Sequence, residues 1–415
     1  MNSFRLFSAV LLASLVSCFS AEIDLGRDAV ASSAKLGIAL LDKLYWSPTL
    51  NIWLDQPGDD IRAYYDGRRN PPWWSSANAV EMLLDYMRKT GSAEYEATIA
   101  ALYDSNKDLR QKSPRVIAEL KRRNQWSAVD EERFEKKQAA TQPVLNNYYT
   151  EFRNEYLDDS GWWGITWLKM YDRTRDKKYL ATAQAVHAHM AKNWRPEKNG
   201  GVMWTEVEDK LVPNAITNGL FLLLSARLYE RTRTADYLQW AERSLAWFHD
   251  QKLYDGIGVV DVPGHMGDYW TYNQGVFIGA LTALYQATGR EDYLEQAVTV
   301  TRSVLTRAGL TTTDGVLLEK LGVSGWDPGL FKGIFARYLG HLRDVLDSKK
   351  LYSELAQEID RVLRASVTSL QLHGIAENRE FKVEWHESSK EGKHNFNTQT
   401  SGLTALIALL PDPHP

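Results

Sequence analysis

Tyr171-Asp172-Arg173-Thr174 is followed by Lys178-Tyr179-Leu180, and the same arrangement returns twice. Tyr229-Glu230-Arg231-Thr232 leads to Asp236-Tyr237-Leu238, and Tyr285-Gln286-Ala287-Thr288 leads to Asp292-Tyr293-Leu294. Met87-Arg88-Lys89-Thr90, followed by Tyr95, is a weaker copy. The later copies recur about every 55–60 residues, longer than most solenoid units but enough for two helices and two loops. In each copy an apolar helix comes first, such as Gly219 to Tyr229 or Gly275 to Tyr285. A polar turn follows around the threonine, and a second, amphipathic helix begins near the Tyr-Leu pair. Ala241, Leu245 and Phe248 carry its spacing of three and four. Fainter units begin at Gly333 and Gly402, which makes about six helical hairpins.

These hairpins are expected to close into a ring. An open solenoid needs polar terminal units, and no such unit is evident. The first helix of each copy is nearly continuously apolar, as for a helix buried on all sides. The fold class expected is therefore all-α, an (α/α)6 barrel of about six helical hairpins forming one domain over residues 21–415. The polar stretch from Asp104 to Gln142 is read as an insertion in the outer layer.

The chain has 415 residues, 44% hydrophobic and 25% charged, which fits an ordinary globular protein with a large core. A net charge of −4 argues against nucleic acid or an anionic membrane surface as partner. Residues 1–20 read as a signal peptide. They comprise a short positive start, an apolar run from Leu6 to Val16 too short to span a bilayer, and small residues at Ser20-Ala21. Cys18, the only cysteine, lies inside this leader, in a run that also resembles a lipobox; a lipid anchor there is the alternative. After cleavage at Ser20 the chain has no disulfide. The expectation is a secreted or extracellular monomer.

One end of such a ring collects the starts of its inner helices. The sequence places there Trp73-Trp74, Asp158-Asp159, Trp162-Trp163, Asn214, Asn218, Tyr272, Gln274, Asp327 and Lys332. Carbohydrate sites need this mixture, because aromatic faces stack on sugar rings while amides and carboxylates bind hydroxyls. In each tryptophan doublet one ring is expected in the core. The pair Asp158-Asp159 is the sharpest feature. Glycoside hydrolysis takes two carboxyl groups across one bond, one ionised as nucleophile or base and one protonated as acid. Neighbouring carboxyls against Trp162 and Trp163 push each other's proton affinities apart. Aspartates at a helix start also serve as caps, so the pair alone leaves both readings open. Asn214, Asn218, Tyr272 and Gln274 are candidates for sugar contact and equally for caps or bridges. Lys332 either contacts substrate or neutralises a carboxylate such as Asp327. No His-Glu-x-x-His, cysteine cluster or glycine-rich phosphate loop is present, so neither metal nor cofactor is expected.

The run Asn154-Glu155-Tyr156-Leu157-Asp158-Asp159-Ser160-Gly161-Trp162-Trp163-Gly164 closely resembles the signature of glycoside hydrolase family 76. The Trp73-Trp74, Thr271–Gly275 and Phe331-Lys332-Gly333 stretches are also similar to that family's, and the resemblance spans about residues 35 to 410. It implies an (α/α)6 barrel and endo-acting cleavage of α-1,6-mannosidic bonds in mannan with retention of configuration. It further implies Asp158 as nucleophile, Asp159 as general acid/base, and α-mannan polysaccharide or oligosaccharide as partner. The family also includes GPI-anchored fungal wall proteins thought to be transglycosidases. The C-terminus here has no long apolar tail of that kind, which favours hydrolysis. Wall transglycosylation and a non-catalytic mannan-binding role on the same scaffold are the alternatives. A binder has no need of the acid pair. A sugar epimerase would want histidine bases at the inner-helix starts, and an unsaturated glucuronyl hydrolase would want cations for the uronate.

Overall fold

The computed structural model describes residues 23–64, 72–107, 117–145, 151–265, 267–322, 326–376, 379–386 and 394–413. The proposed leader and Cys18 lie outside them. Helices dominate: α1 (Arg27–Tyr45), α2 (Trp73–Thr90), α3 (Glu96–Asn106), α4 (Ala128–Leu145), α5 (Leu157–Thr174), α6 (Lys177–Lys192) and α7 (Ala215–Thr232). They continue with α8 (Ala235–Asp250), α9 (Thr271–Thr288), α10 (Glu291–Arg307), α11 (Pro328–Lys349), α12 (Ser353–His373) and α13 (Phe396–Leu409). Two-residue strands β1 (Trp46–Ser47) and β2 (Ile52–Trp53) form one small antiparallel pair.

Six helices form an inner ring: α2, α5, α7, α9, α11 and α13 pack each on the next, and α13 returns to α2. The ring is closed, as the repeat predicts. The outer layer is α1, α3, α6, α8, α10 and α12, with α1 packed on α13. Periodicity separates the layers. α12 buries Leu355, Ile359, Val362, Leu363, Ser366, Val367 and Leu370, one stripe at helical spacing. Along α9 every residue from Asn273 to Tyr285 is buried. α4 carries the polar insertion outside this ring.

The repeat has a local cause. Thr90, Thr174, Thr232 and Thr288 each end an inner helix, and each hydroxyl donates to the carbonyl four residues back. Each hydroxyl also accepts the backbone N–H two residues on, which turns the chain into the next outer helix. The intervening residue is left-handed, as in an αL cap: Gly91, Arg175, Arg233 and Gly289. Where arginine takes that position its guanidinium lies over the ring of the repeat tyrosine, Arg175 on Tyr171 and Arg233 on Tyr229.

The repeat glycines let the inner helices approach. A Cβ on Gly275 would lie 2.8 Å from Phe335 Cα, and one on Gly333 would lie 2.6 Å from Ser401 Cα. Residues 215–219, 272–275 and 397–402 lie in the opening turns of α7, α9 and α13. The polar side chains there are therefore fixed by helix geometry.

Candidate active site

The inner helices run parallel, so their first turns converge on one end of the barrel. Trp74 of α2, Asp158, Asp159 and Trp162 of α5, Tyr272 of α9, and Asp327 and Phe331 at the start of α11 line one cleft there. Tyr156 and Trp204 complete it, and its volume is about 320 Å³. Aromatic rings make the walls. Tyr272 stacks on Phe331 with centroids 3.8 Å apart, and Trp74 lies 6.0 Å from Trp162 and 6.2 Å from Phe331. Tyr156 packs against Trp204 at 5.1 Å.

Asp158 and Asp159 occupy the first turn of α5, whose N-cap, Tyr156, makes no side-chain cap bond. Their surroundings differ. Asp158 accepts two hydrogen bonds, from the Trp204 indole N–H to Oδ2 and from the Asp159 amide to Oδ1, both at 3.1 Å. Trp204 is held by its own backbone: its carbonyl accepts the Leu157 amide at 2.9 Å, beside a bridge pairing Tyr156 with Thr205. Asp159 accepts one side-chain bond, from Asn154 Nδ2 at 2.7 Å. The Asn154 amide is oriented because its Oδ1 accepts the Tyr156 N–H at 3.1 Å.

Among the described residues, aspartates are the only charged side chains lining this cleft. Loss of solvent around Asp158 pushes its carboxyl up to about 7, against which the two N–H donors favour the anion. Asp159 is pushed well above its ordinary value, first by burial and then by the charge of Asp158 beside it. Asp159 therefore holds its proton more tightly, while Asp158 is the better-solvated anion. Asp327, at the rim, accepts the Trp74 indole N–H at 3.0 Å, and its charge adds to the field on both.

The residues expected at the site divide. Asp158, Asp159, Trp74, Trp162 and Tyr272 line the cleft. Trp73 and Trp163 lie in the core, 5.1 Å from each other and packed on Phe152, while Trp74 and the equally buried Trp162 border the cleft. As ligand contacts, Trp73 and Trp163 are therefore corrected. Asn218 and Gln274 are also corrected, being fully buried. The Asn218 amide clamps the backbone N–H and carbonyl of Val202, and the Gln274 amide does the same to Val259. Asn214 is the N-cap of α7, accepting from the Thr217 amide.

Lys332 is buried and is not among the residues lining the cleft. Its ammonium donates to the Val383 carbonyl at 2.6 Å and sits 4.3 Å from the Trp385 ring centroid. Burial lowers its pKa to about 7, partly offset by Glu319 and Glu384. Trp204, Tyr156 and Asn154 were not singled out as site residues in the sequence. Trp204 lies between α6 and α7, outside the repeat register, and reaches the cleft only through its backbone pairing with the start of α5.

The profile of Glycosyl hydrolase family 76 matches residues 45–414. The chain is 26% identical to the mannan endo-1,6-alpha-mannosidase DCW1 of Candida glabrata, over 95% of this chain and 83% of that one. It is 26% identical to the mannan endo-1,6-alpha-mannosidase DCW1 of Saccharomyces cerevisiae, over 60% of this chain and 59% of that one. Its fold is similar to that of the alpha-1,6-mannanase GH76A from Salegentibacter sp. HEL1_6, with a TM-score of 0.71 and 24% identity, covering 92% of this chain and 98% of that one. Dfg5 from Chaetomium thermophilum, solved with glucosamine, gives a TM-score of 0.70 at 19% identity, covering 94% and 92%. With the family profile matched over most of its length, the chain belongs to glycosyl hydrolase family 76.

Proposed function

We propose that the protein is an exported endo-acting glycoside hydrolase that cleaves α-1,6-mannosidic bonds of mannan with retention of configuration. The observation that carries this reading is the unequal solvation of two adjacent carboxyls in one aromatic cleft. Retention takes two carboxyl groups close enough for direct attack, about 5–5.5 Å apart. Asp158, with two N–H donors on its oxygens, is the nucleophile. Asp159, beside that charge and holding its proton, is the acid.

In the first step an Asp158 oxygen attacks the anomeric carbon, and the bond from that carbon to the leaving O6 breaks. Asp159 gives its proton to that oxygen, leaving a glycosyl ester on Asp158. In the second step the Asp159 carboxylate takes a proton from water as the water oxygen attacks the anomeric carbon and frees Asp158. Trp74 and Tyr272 offer faces on which sugar rings stack, backed by the buried rings of Trp162 and Phe331, and Asp327 accepts from the sugar hydroxyls.

Two kinds of relative support the substrate. The curated relatives are named as mannan endo-1,6-alpha-mannosidases. An inactive variant of the Salegentibacter enzyme, with two consecutive aspartates replaced, was solved with alpha-1,6-mannotetrose. The leader-like residues 1–20 support export to the wall or medium. The test is incubation with linear α-1,6-mannan, products being sized by chromatography and the first-formed anomer read by NMR. Internal cleavage to short oligomers with the α-anomer first is expected. Intact mannan, or β-anomer first, would overturn the proposal.

A further inference from the structure

The opposite end of the barrel holds a second cavity, larger than the catalytic cleft. It has a volume of about 580 Å³ and is lined by the last turns of the inner helices. Cations crowd it, and nearly all are paired. Arg337 donates to Glu81 at 2.7 Å, and Lys169 joins Glu81 to Asp85 at 2.8 Å each. Arg231 holds Asp172 at 2.7 Å, Arg173 holds Glu96 at 2.8 Å, Lys89 holds Asp344 at 2.8 Å, and Arg88 holds Asp412.

Arg227 of α7 is different. It lines the same cavity and is only 8% exposed, yet among the described residues no carboxylate pairs with it and no acceptor takes its guanidinium hydrogens. Burying an arginine unpaired is costly, and such groups are rare. Glu81, which feels the Arg227 charge, is ion-paired with Lys169 at 2.8 Å and Arg337 at 2.7 Å. Carbonyl ends of the inner helices are met by other side chains: Arg233 takes Ala287, while Lys89 and Arg343 take Leu410, Leu409 and Ala408. A second group is left over beside it. Tyr338, on α11, is part of the cavity wall, and its hydroxyl is buried with no hydrogen-bond partner among the described residues.

We propose that this axial cavity is a binding site for a small oxyanion, held by the Arg227 guanidinium and the Tyr338 hydroxyl. The planar fork of arginine matches phosphate, sulfate and carboxylate oxygens, and a hydroxyl donor completes the shell. The volume takes such an anion with several waters, each needing about 30 Å³. The field fits as well. His341, on the same cavity, is pushed down to about 3, by burial first and then by Arg227 and Arg88. Exposed Gln286 and Arg88 mark the way in from solvent.

The experiment is calorimetric melting of the full chain in phosphate, sulfate or acetate against chloride at equal ionic strength. A saturable rise in Tm of roughly 2 °C or more is expected in at least one of the three. Phosphate and sulfate acting alone would identify a tetrahedral anion, and acetate acting alone a carboxylate. Arg227→Gln should abolish the rise with mannan cleavage unchanged, and Tyr338→Phe should weaken it. The same anion should raise the His341 pKa as followed by NMR. If Arg227→Gln does not fold, anion titration calorimetry on the native chain and on Tyr338→Phe decides. The proposal fails if no anion gives a saturable rise beyond chloride, as when Arg227 is met by water alone. It fails equally if Arg227→Gln keeps the rise.

Discussion

Asp158→Asn separates a catalytic pair from a helix cap by the sign of its effect on stability. In the unfolded chain an aspartate loses its proton near 3.8, whereas in the cleft Asp158 is pushed up to about 7. Between those values the folded state binds more protons than the unfolded one, so stability falls as pH rises through the window and levels off above it. Three units at about 1.4 kcal/mol each give an upper bound of about 4 kcal/mol. Asp158 is half-buried and opens onto a cleft, and solvent screening reduces this to about 1–2 kcal/mol. The amide that replaces the carboxyl in the variant does not ionise, so the cost vanishes, and the charge acting on Asp159 goes with it. Asp158→Asn should therefore match the wild type near pH 4 and exceed it by about 1–2 kcal/mol near pH 8. Turnover on mannan should fall by at least about 10³-fold. Urea unfolding across that pH range, with mannan cleavage in parallel, measures both. A cap predicts the reverse, a loss of about 1 kcal/mol near pH 8 with activity kept. A variant less stable than wild type at pH 8 would refute the reasoning.

Three further outcomes follow from the same contacts. Trp204→Phe keeps a ring against Tyr156 but removes an N–H donor from Asp158, so the acid limb of the kcat/KM profile should move to higher pH and turnover fall about tenfold. An unmoved limb would mean that the bond does not favour the anion. Asp159→Asn should keep its glycosylation burst on a substrate with a very good leaving group, which needs no acid, and lose turnover on mannan. Absence of that burst would remove Asp159 from the acid role. Asn218→Ala should cost about 2–3 kcal/mol by leaving the Val202 N–H and carbonyl unpaired, with KM for mannan unchanged. A raised KM without lost stability would return Asn218 to the substrate.

Ring closure was legible because its signal is local and repeated. The threonine hook needs a few residues in fixed order, and the inner helices need near-continuous apolar runs. The cleft was legible where its residues sit in one run, from Asn154 to Trp163. Tyr156 and Asn154 lie inside that run, but their part depends on which atoms the chain's turn brings to Asp159. Trp204 could not be reached at all, because a backbone pairing between two irregular segments places it.

The polar residues with both a ligand and a structural reading in the sequence share a register that explains them. Asn218, Gln274 and Lys332 each precede a repeat glycine. Each reaches the backbone of the turn that packs over its helix, at Val202, Val259 and Val383 respectively. The glycine lets the next helix come close, and the residue before it is thereby buried beside a turn whose N–H and carbonyl groups need partners. Two of these turns are antiparallel bridges too short to satisfy their own backbone, Trp194 with Val202 and Tyr254 with Val259. A polar side chain recurring at that position answers a need that the ring creates in these repeats, whatever the protein binds; at Gly402 the turn is met instead by Gln399, which accepts the Phe381 amide. Ser160, before Gly161, holds to the same rule, hydrogen bonding the Asn154 and Tyr156 backbone. Asp158 and Asp159 have no counterpart in the other copies. Polarity in register is architecture in this barrel, and polarity found in one copy alone, placed against burial's cost, is where the chemistry is proposed to lie.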